Sequence, residues 1–315
     1  MQTELHRHLD CGLRPSTYLK LLQERGLEAQ STSLDAFKSK TLLTKPLASL
    51  DEVLNKMTAL QKVFDRPEVL ERVAFEALED CWQEGTRWVE FRYSPLFVSQ
   101  LGQLSWEDVL AAFKKGLAQA LYRYPDMRAG LICIVGRDEG AEKADQVVEF
   151  YLNNFDSFVG IDLAGHELGF PCRLFEKSFK KVVARGGNIT IHAGEAAGPE
   201  SVWEAIELLG ASRIGHGLTS IQDPVLVQYL ADHRICLELC PTSNYITKTV
   251  PSLEQHPLPR FLRAGIPVSV NTDDPLFFGS GLQNEFQICR EKMGLSLAEI
   301  EKCKASAHRA SFLHI

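Results

Sequence analysis

The sequence predicts an α/β fold, a closed (β/α)8 TIM barrel with a helical insertion after strand 1 lying over its C-terminal mouth. Three observations carry that prediction. Short apolar runs that end abruptly in polar or small residues recur eight times along the chain. Segments with apolar residues three and four apart, such as 69–83 and 106–121, lie between them. One gap, residues 11–86, is much longer than the rest. Strands apolar on both faces that alternate with amphipathic helices imply a parallel sheet covered by helices. Eight such units fit a closed barrel better than an open sheet.

In chain order, the first run is Glu4–Asp10 (ELHRHLD), which ends in histidines and an aspartate. Arg87–Pro95 (RWVEFRYSP) and Met127–Gly136 (MRAGLICIVG) follow, then Phe158–Gly165 (FVGIDLAG). Gly187–Glu195 (GNITIHAGE) carries a histidine and a glutamate at its end. Arg213–Thr219 (RIGHGLT) has the faintest strand signal, being short and glycine-rich. Cys236–Asn244 (CLELCPTSN) and Pro267–Pro275 (PVSVNTDDP) complete the set. The 11–86 gap must hold several helices, which would form a lid. No repeat, low-complexity stretch or Pro/Gly/Ser linker divides the chain, so residues 1–315 read as a single barrel domain.

Composition narrows the partners. A net charge of −7 with no basic run gives little grip on a phosphate backbone, so a nucleic acid polymer is excluded and a small neutral or cationic ligand fits better. No apolar stretch approaches the roughly 20 residues that span a bilayer, and MQTELHRHLD has no apolar signal segment. A cytoplasmic protein without membrane contact is expected. The eight cysteines contain no C-x-x-C, which points to reduced, packed thiols and not to a thiolate zinc site. A monomer is the default, since the helical segments show no unpaired apolar stripe.

Barrel chemistry sits at the C-terminal ends of the strands. His6, His8, Asp10, Glu90, Arg92, Gly165, His192, Glu195, His216, Asn244, Asp273 and Asp274 would converge there. Residues two apart on a strand share a face, so His6 and His8 enter the barrel together. On its own the pair fits a half metal site or two ordinary histidines. With His192 and Asp273 it offers three nitrogens and a carboxylate, a set that suits zinc. Such an ion lowers the pKa of a water toward about 7. Glu195, three residues after His192, is placed to shuttle a proton, or is a surface glutamate opening a helix. His216, between two glycines, is a catalytic or a packed core histidine. Asp273 and Asp274 do not suit a core, and adjacent side chains diverge, so one can hold metal while the other meets substrate. Cys236 and Cys240 read as packing.

In this order, HRHLD, VEFRYSP, IDLAGHE, HAGE, GHG, CPTSN and NTDDP resemble the adenosine deaminase family of the amidohydrolase superfamily, over about residues 4–290. The resemblance implies hydrolytic deamination with one zinc per chain, held by His6, His8, His192 and Asp273. It implies that Glu195 protonates purine N1, that His216 orients or deprotonates the attacking water, and that Asp274 meets N7. The Gly165 N–H would meet N3 and Asp10 a ribose hydroxyl. The expected substrate is a purine nucleoside, adenosine or 2′-deoxyadenosine. A 5′-modified adenine nucleoside such as aminodeoxyfutalosine, or free adenine, is the alternative. The chain departs from the family at Arg7, Cys11-Gly12 and His166, and Arg7, Arg14 or His166 would be the partners of an acidic extension. A two-metal amide or ester hydrolase is disfavoured because FVGIDLAG has no lysine to bridge a second ion. A non-catalytic purine-binding barrel is disfavoured because all four ligands and both proton-transfer residues are present.

Overall fold

Every predicted run overlaps a strand in the computed structural model, which describes residues 2–47, 50–101 and 104–313. The strands are β1 Gln2–His8, β2 Thr86–Tyr93, β3 Arg128–Gly136, β4 Gly160–Ala164, β5 Thr190–Ala193, β6 Arg213–His216, β7 Cys236–Leu239 and β8 Val268–Val270. The faint run is therefore a strand, stopped by Gly217 in the left-handed region at φ 67°. All ladders are parallel, in the orders β1-β2-β3-β4 and β5-β6-β7-β8. Two seams close the barrel. Ile161 bridges Ile189 at one, and Arg7 bridges Asp273 at the other. At the second seam the His8 N–H donates to the Asp273 carbonyl and the Asp273 N–H to the His6 carbonyl. Backbone pairing thus brings a residue beyond β8 beside the two histidines of β1.

The stretch between β1 and β2 holds the helices Pro15–Glu24, Leu34–Thr41, Leu50–Met57 and Pro67–Gln83, with a 3-10 turn at Thr58–Val63. The last of these helices lies against Trp106–Arg123 in the outer ring, where a Cβ on Gly116 would sit 2.1 Å from the Glu71 carbonyl oxygen. The others form the expected lid. It is tied down by Leu43 N–H to the Phe277 carbonyl and Leu47 N–H to the Ile246 carbonyl, both beyond strand ends.

Barrel interiors are usually filled by branched apolar side chains. Here Glu90, Arg92, Asp162, Thr190, Arg213, Glu238 and Ser269 lie on the strands and are fully buried or nearly so. Such burial is tolerable only when charges are paired and hydrogen-bonded. Arg92 donates to Asp162 (2.7 Å), Glu238 (2.7 Å) and the Leu5 carbonyl, and Arg213 donates to Glu90 (2.7 Å). No helix among the described residues is long and apolar enough to cross a membrane.

Candidate active site

Above this charged layer His6, His8, His192 and Asp273 meet, with one potential ligand atom from each within 4.8 Å of all the others. The Nε2 atoms of His6 and His8 both lie 3.4 Å from Asp273 Oδ1. Two donors about 2.0–2.2 Å from one zinc are separated by roughly this distance. The buried His6 Nε2 has no hydrogen-bond partner, so its lone pair is left for an ion. Burial keeps His8 and His192 below the usual imidazole range, which leaves both rings neutral. Burial raises the Asp273 carboxyl, but the neighbouring His6 outweighs it and holds the group well below the usual carboxylate range. These residues fit a divalent cation with nitrogen-rich coordination.

The other ring nitrogens of His6 and His192 are also accounted for. His6 Nδ1 lies 2.9 Å from Glu238 Oε2, and His192 Nδ1 lies 2.9 Å from Asp162 Oδ2. A carboxylate that accepts from Nδ1–H fixes the tautomer and aims Nε2 at the ion. Arg92 spans both carboxylates and locks the pair. Glycine at 215 makes room for this packing, since a Cβ there would sit 3.0 Å from His6 Cε1.

His216 stands beside the cluster in the left-handed region (φ 60°), as does Asp273 (φ 64°). That backbone costs a non-glycine residue about 1–2 kcal/mol. A relay fixes its tautomer. The Leu258 N–H donates to His256 Nδ1 (3.1 Å), so His256 Nε2 must carry the proton it shares with Asn244 Oδ1 (3.2 Å). Burial holds the His256 pKa near 3, so the ring is neutral. The Cys240 N–H also donates to Asn244 Oδ1, which identifies that atom as the oxygen. Asn244 Nδ2 therefore donates to His216 Nδ1 (3.0 Å). Burial keeps His216 neutral as well, so its proton is on Nε2, 3.6 Å from Glu195 Oε2.

Glu195 lies in the loop after β5. Its carboxyl is raised well above the usual range, by burial first and then by Asp273 and Glu167. The loop is clamped: the Glu167 carboxylate accepts from the N–H groups of Gly194, Glu195 (3.1 Å), Ala196 (2.7 Å) and Ala197 (2.9 Å). Asp274 is likewise raised well above its range by burial and by Asp273, and its buried Oδ1 has no partner. Gly165 takes φ 104°, and a Cβ there would lie 2.6 Å from Asp138 Oδ2.

These groups border a two-lobed cavity. The small lobe, about 60 Å³, is walled by His192, Glu195, His216, Asp273 and Asp274. The wide lobe, about 380 Å³, is bordered by Asp10, Ser94, Leu96 and Ile134. His8, Leu54, Met57, Ala164 and Gly165 belong to both. Asp10 Oδ2 accepts from the Ser94 N–H, while its buried Oδ1 accepts no hydrogen bond and lies 3.8 Å from His8 Nδ1.

Eight of the nine predicted metal, catalytic and substrate residues border this cavity, and the ninth, His6, meets His8, His192 and Asp273 in the ligand cluster. Other expectations need correction. Glu90 is not at the mouth. It lies two residues, about 7 Å, below Arg92 on the same face of β2, and accepts from Arg213, Ser311 and the Phe312 N–H at the far end of the barrel. Arg92 underlies the cluster, and Asn244 stands behind His216. Arg7 is buried on the outward face of β1, 3.7 Å from Glu84, because alternation turns it away from His6 and His8. Arg14 pairs with Glu79 and Asp80. Of the three proposed partners for an acidic extension, only His166 borders the cavity. Local sequence pattern gives no sign of the roles of Asp162, Glu167, Glu238 and His256. Glu167 lies inside a recognised motif, but its role needs the β5 loop to be placed beside it.

The family described as adenosine deaminase matches residues 2–315. Adenosine deaminases of Klebsiella pneumoniae and Proteus mirabilis are 39% and 40% identical to the chain, each over 99% of it and 93% of the relative. Among solved structures, adenine deaminase from Arthrobacter aurescens superposes with a TM-score of 0.91 at 27% identity, covering 99% of this chain and 93% of that one. A zinc-bound amidohydrolase from Burkholderia ambifaria gives 0.90 at 27%, covering 99% and 85%. An Arabidopsis ADAL protein complexed with IMP gives 0.84 at 26%, covering 99% and 92%.

Proposed function

The chain belongs to the adenosine deaminase family of hydrolases, and on that premise we propose that it deaminates adenosine or 2′-deoxyadenosine, releasing ammonia. The observation that carries this reading is the two-lobed cavity. Proton-transfer groups and the ligand cluster wall the small lobe, and Asp10, with one buried oxygen that accepts no hydrogen bond, borders the wide one. That shape suits a purine bearing a hydroxylated substituent better than free adenine.

Zinc held by His6, His8, His192 and Asp273 would supply Lewis acidity that makes water nucleophilic near neutral pH. Glu195, kept protonated by burial, gives its proton to N1 and makes C6 electrophilic. Water adds to C6. His216 orients the entering oxygen through its Nε2–H, and in this tautomer Nε2 has no free lone pair with which to take a proton. Asp274, protonated by the same reasoning, donates from Oδ1 to N7. The Gly165 N–H meets N3, and Asp10 meets a ribose hydroxyl. As the C6–N bond breaks, one proton of the water leaves on ammonia and the other restores Glu195. A 6-oxopurine nucleoside remains.

The test is ammonia release from zinc-loaded protein given adenosine, 2′-deoxyadenosine, adenine and aminodeoxyfutalosine. Turnover of the first two is expected, reduced at least about 100-fold in Glu195→Gln. Exclusive turnover of adenine would remove the nucleoside assignment. Purine binding with no turnover of any compound would favour a non-catalytic barrel.

A further inference from the structure

We propose that Ser311 and Phe312, which follow the helix Leu297–Ala310, are positioning residues for the metal site. They hold His6 from the end of the barrel opposite the mouth, through Glu90, Arg213 and Glu238. The inference rests on the reading that His6, His8, His192 and Asp273 bind a metal ion. The contacts run without a break. The Ser311 hydroxyl (2.7 Å) and the Phe312 N–H (2.6 Å) both donate to Glu90 Oε1. Glu90 Oε2 accepts from Arg213 Nη2 at 2.7 Å. Arg213 Nε lies 2.7 Å from Glu238 Oε1, and Glu238 Oε2 lies 2.9 Å from His6 Nδ1.

The same segment seals the floor of the barrel. The Arg213 guanidinium carbon stands 3.6 Å from the centre of the Phe312 ring, and Arg213 Nη1 donates to the Ala310 carbonyl (2.9 Å). Glycine at 160 in β4 makes room for the ring, since a Cβ there would sit 2.8 Å from Phe312 Cδ2. Beneath this cover Glu90, Arg213 and Glu238 are buried. An ion pair is much stronger in such an interior than in water, because the effective dielectric constant is low. Water admitted at the floor would weaken the Arg213 pairs first, since Arg213 is the charge that Phe312 covers. Thr190 and Arg92 already donate to Glu238, so its carboxylate cannot turn to follow a displaced Arg213 without disturbing His6. A carboxylate on Nδ1–H is what aims the opposite nitrogen of a ligating histidine, and its loss costs about 10–100-fold in metal affinity. Ser311 and Phe312 act from further along the same string, so a smaller effect of about 3–10-fold follows.

The experiment measures the zinc dissociation constant by chelator competition, and the visible spectrum of the cobalt-substituted protein, well below the unfolding temperature. Glu90 and Arg213 are left in place, because removing one member of a buried ion pair destabilises the fold itself. Ser311→Ala and Phe312→Ala should each weaken zinc binding about 3–10-fold and alter the cobalt bands. Phe312→Tyr keeps a ring over Arg213 and should bind zinc within about twofold of wild type. Leu313→Ala removes a side chain packed against Gly130 in the same floor, and should also stay within about twofold. Unchanged affinity in both Ser311→Ala and Phe312→Ala would overturn the proposal. Equal weakening in Leu313→Ala would overturn it too, because any loosening of the floor would then suffice. Failure of the wild-type protein to bind zinc would overturn the metal reading, and the proposal with it.

Discussion

A single carboxylate, that of Glu167, gathers four consecutive backbone N–H groups from the loop that carries Glu195. Such a nest prefers a full negative charge, because every donor points inward. Glutamine in its place would offer one acceptor oxygen and turn an NH2 group toward donors. A catalytic group displaced by about 1 Å can lose on the order of 100-fold in rate. Glu167→Gln should therefore lower kcat about 10–100-fold, with KM changed less than about threefold and bound zinc unaltered. A kcat within twofold of wild type would show that the loop holds its shape unaided.

The helix that follows β7, Pro241–Ile246, supplies Asn244, and its amide sets which nitrogen of His216 on β6 carries the proton. Both elements are short, and their placement depends on the neighbouring strand end and on His256. Asn244→Asp keeps the acceptor for Cys240 and His256 but turns the donor to His216 into an acceptor. The His216 proton would move to Nδ1 and leave Nε2 without one. Loss of a preorganised donor costs about 100–1,000-fold. The variant should show a fall in kcat of that order with zinc retained and the unfolding transition still cooperative. Near wild-type turnover would mean that the relay does not govern the tautomer.

Across the whole molecule, buried acids make stability depend on pH. Glu285, on the helix Leu282–Glu291, joins the segments after β7 and β8 through Thr242 and Ser280. Burial pushes its pKa from 4.5 up to about 7. The folded state then binds a proton between those values that the unfolded chain releases, so stability present below pH 4.5 is lost as pH rises toward 7. The loss is about 3 kcal/mol at most. Urea unfolding at pH 5 to 8 should show Glu285→Gln gaining on wild type over that window and no further above it. A constant difference across the series would place the Glu285 pKa outside the window.

The eight strands, the lid and the residues at the mouth were legible in the sequence because they are local properties. Apolar runs, helical spacing and polar strand ends follow from what neighbouring residues do to one another. His6 and His8 share a face by alternation alone. The remainder depends on pairings between distant residues. Glu90 and Arg92 sit two apart on one face of β2, and only the stacking of barrel layers puts Glu90 at the far end and Arg92 beneath the ligand cluster. Arg7 and Arg14, read as possible partners for a substrate, were claimed by carboxylates on the helix Pro67–Gln83 and just beyond its end. The clamp of Glu167 on the 194–197 loop and the His256–Asn244–His216 relay join segments that local pattern does not connect. The types of residue and their strand-end positions were therefore set by the sequence alone. Which atoms are free, paired or protonated was decided by tertiary packing, because hydrogen bonds and burial belong to the assembled molecule.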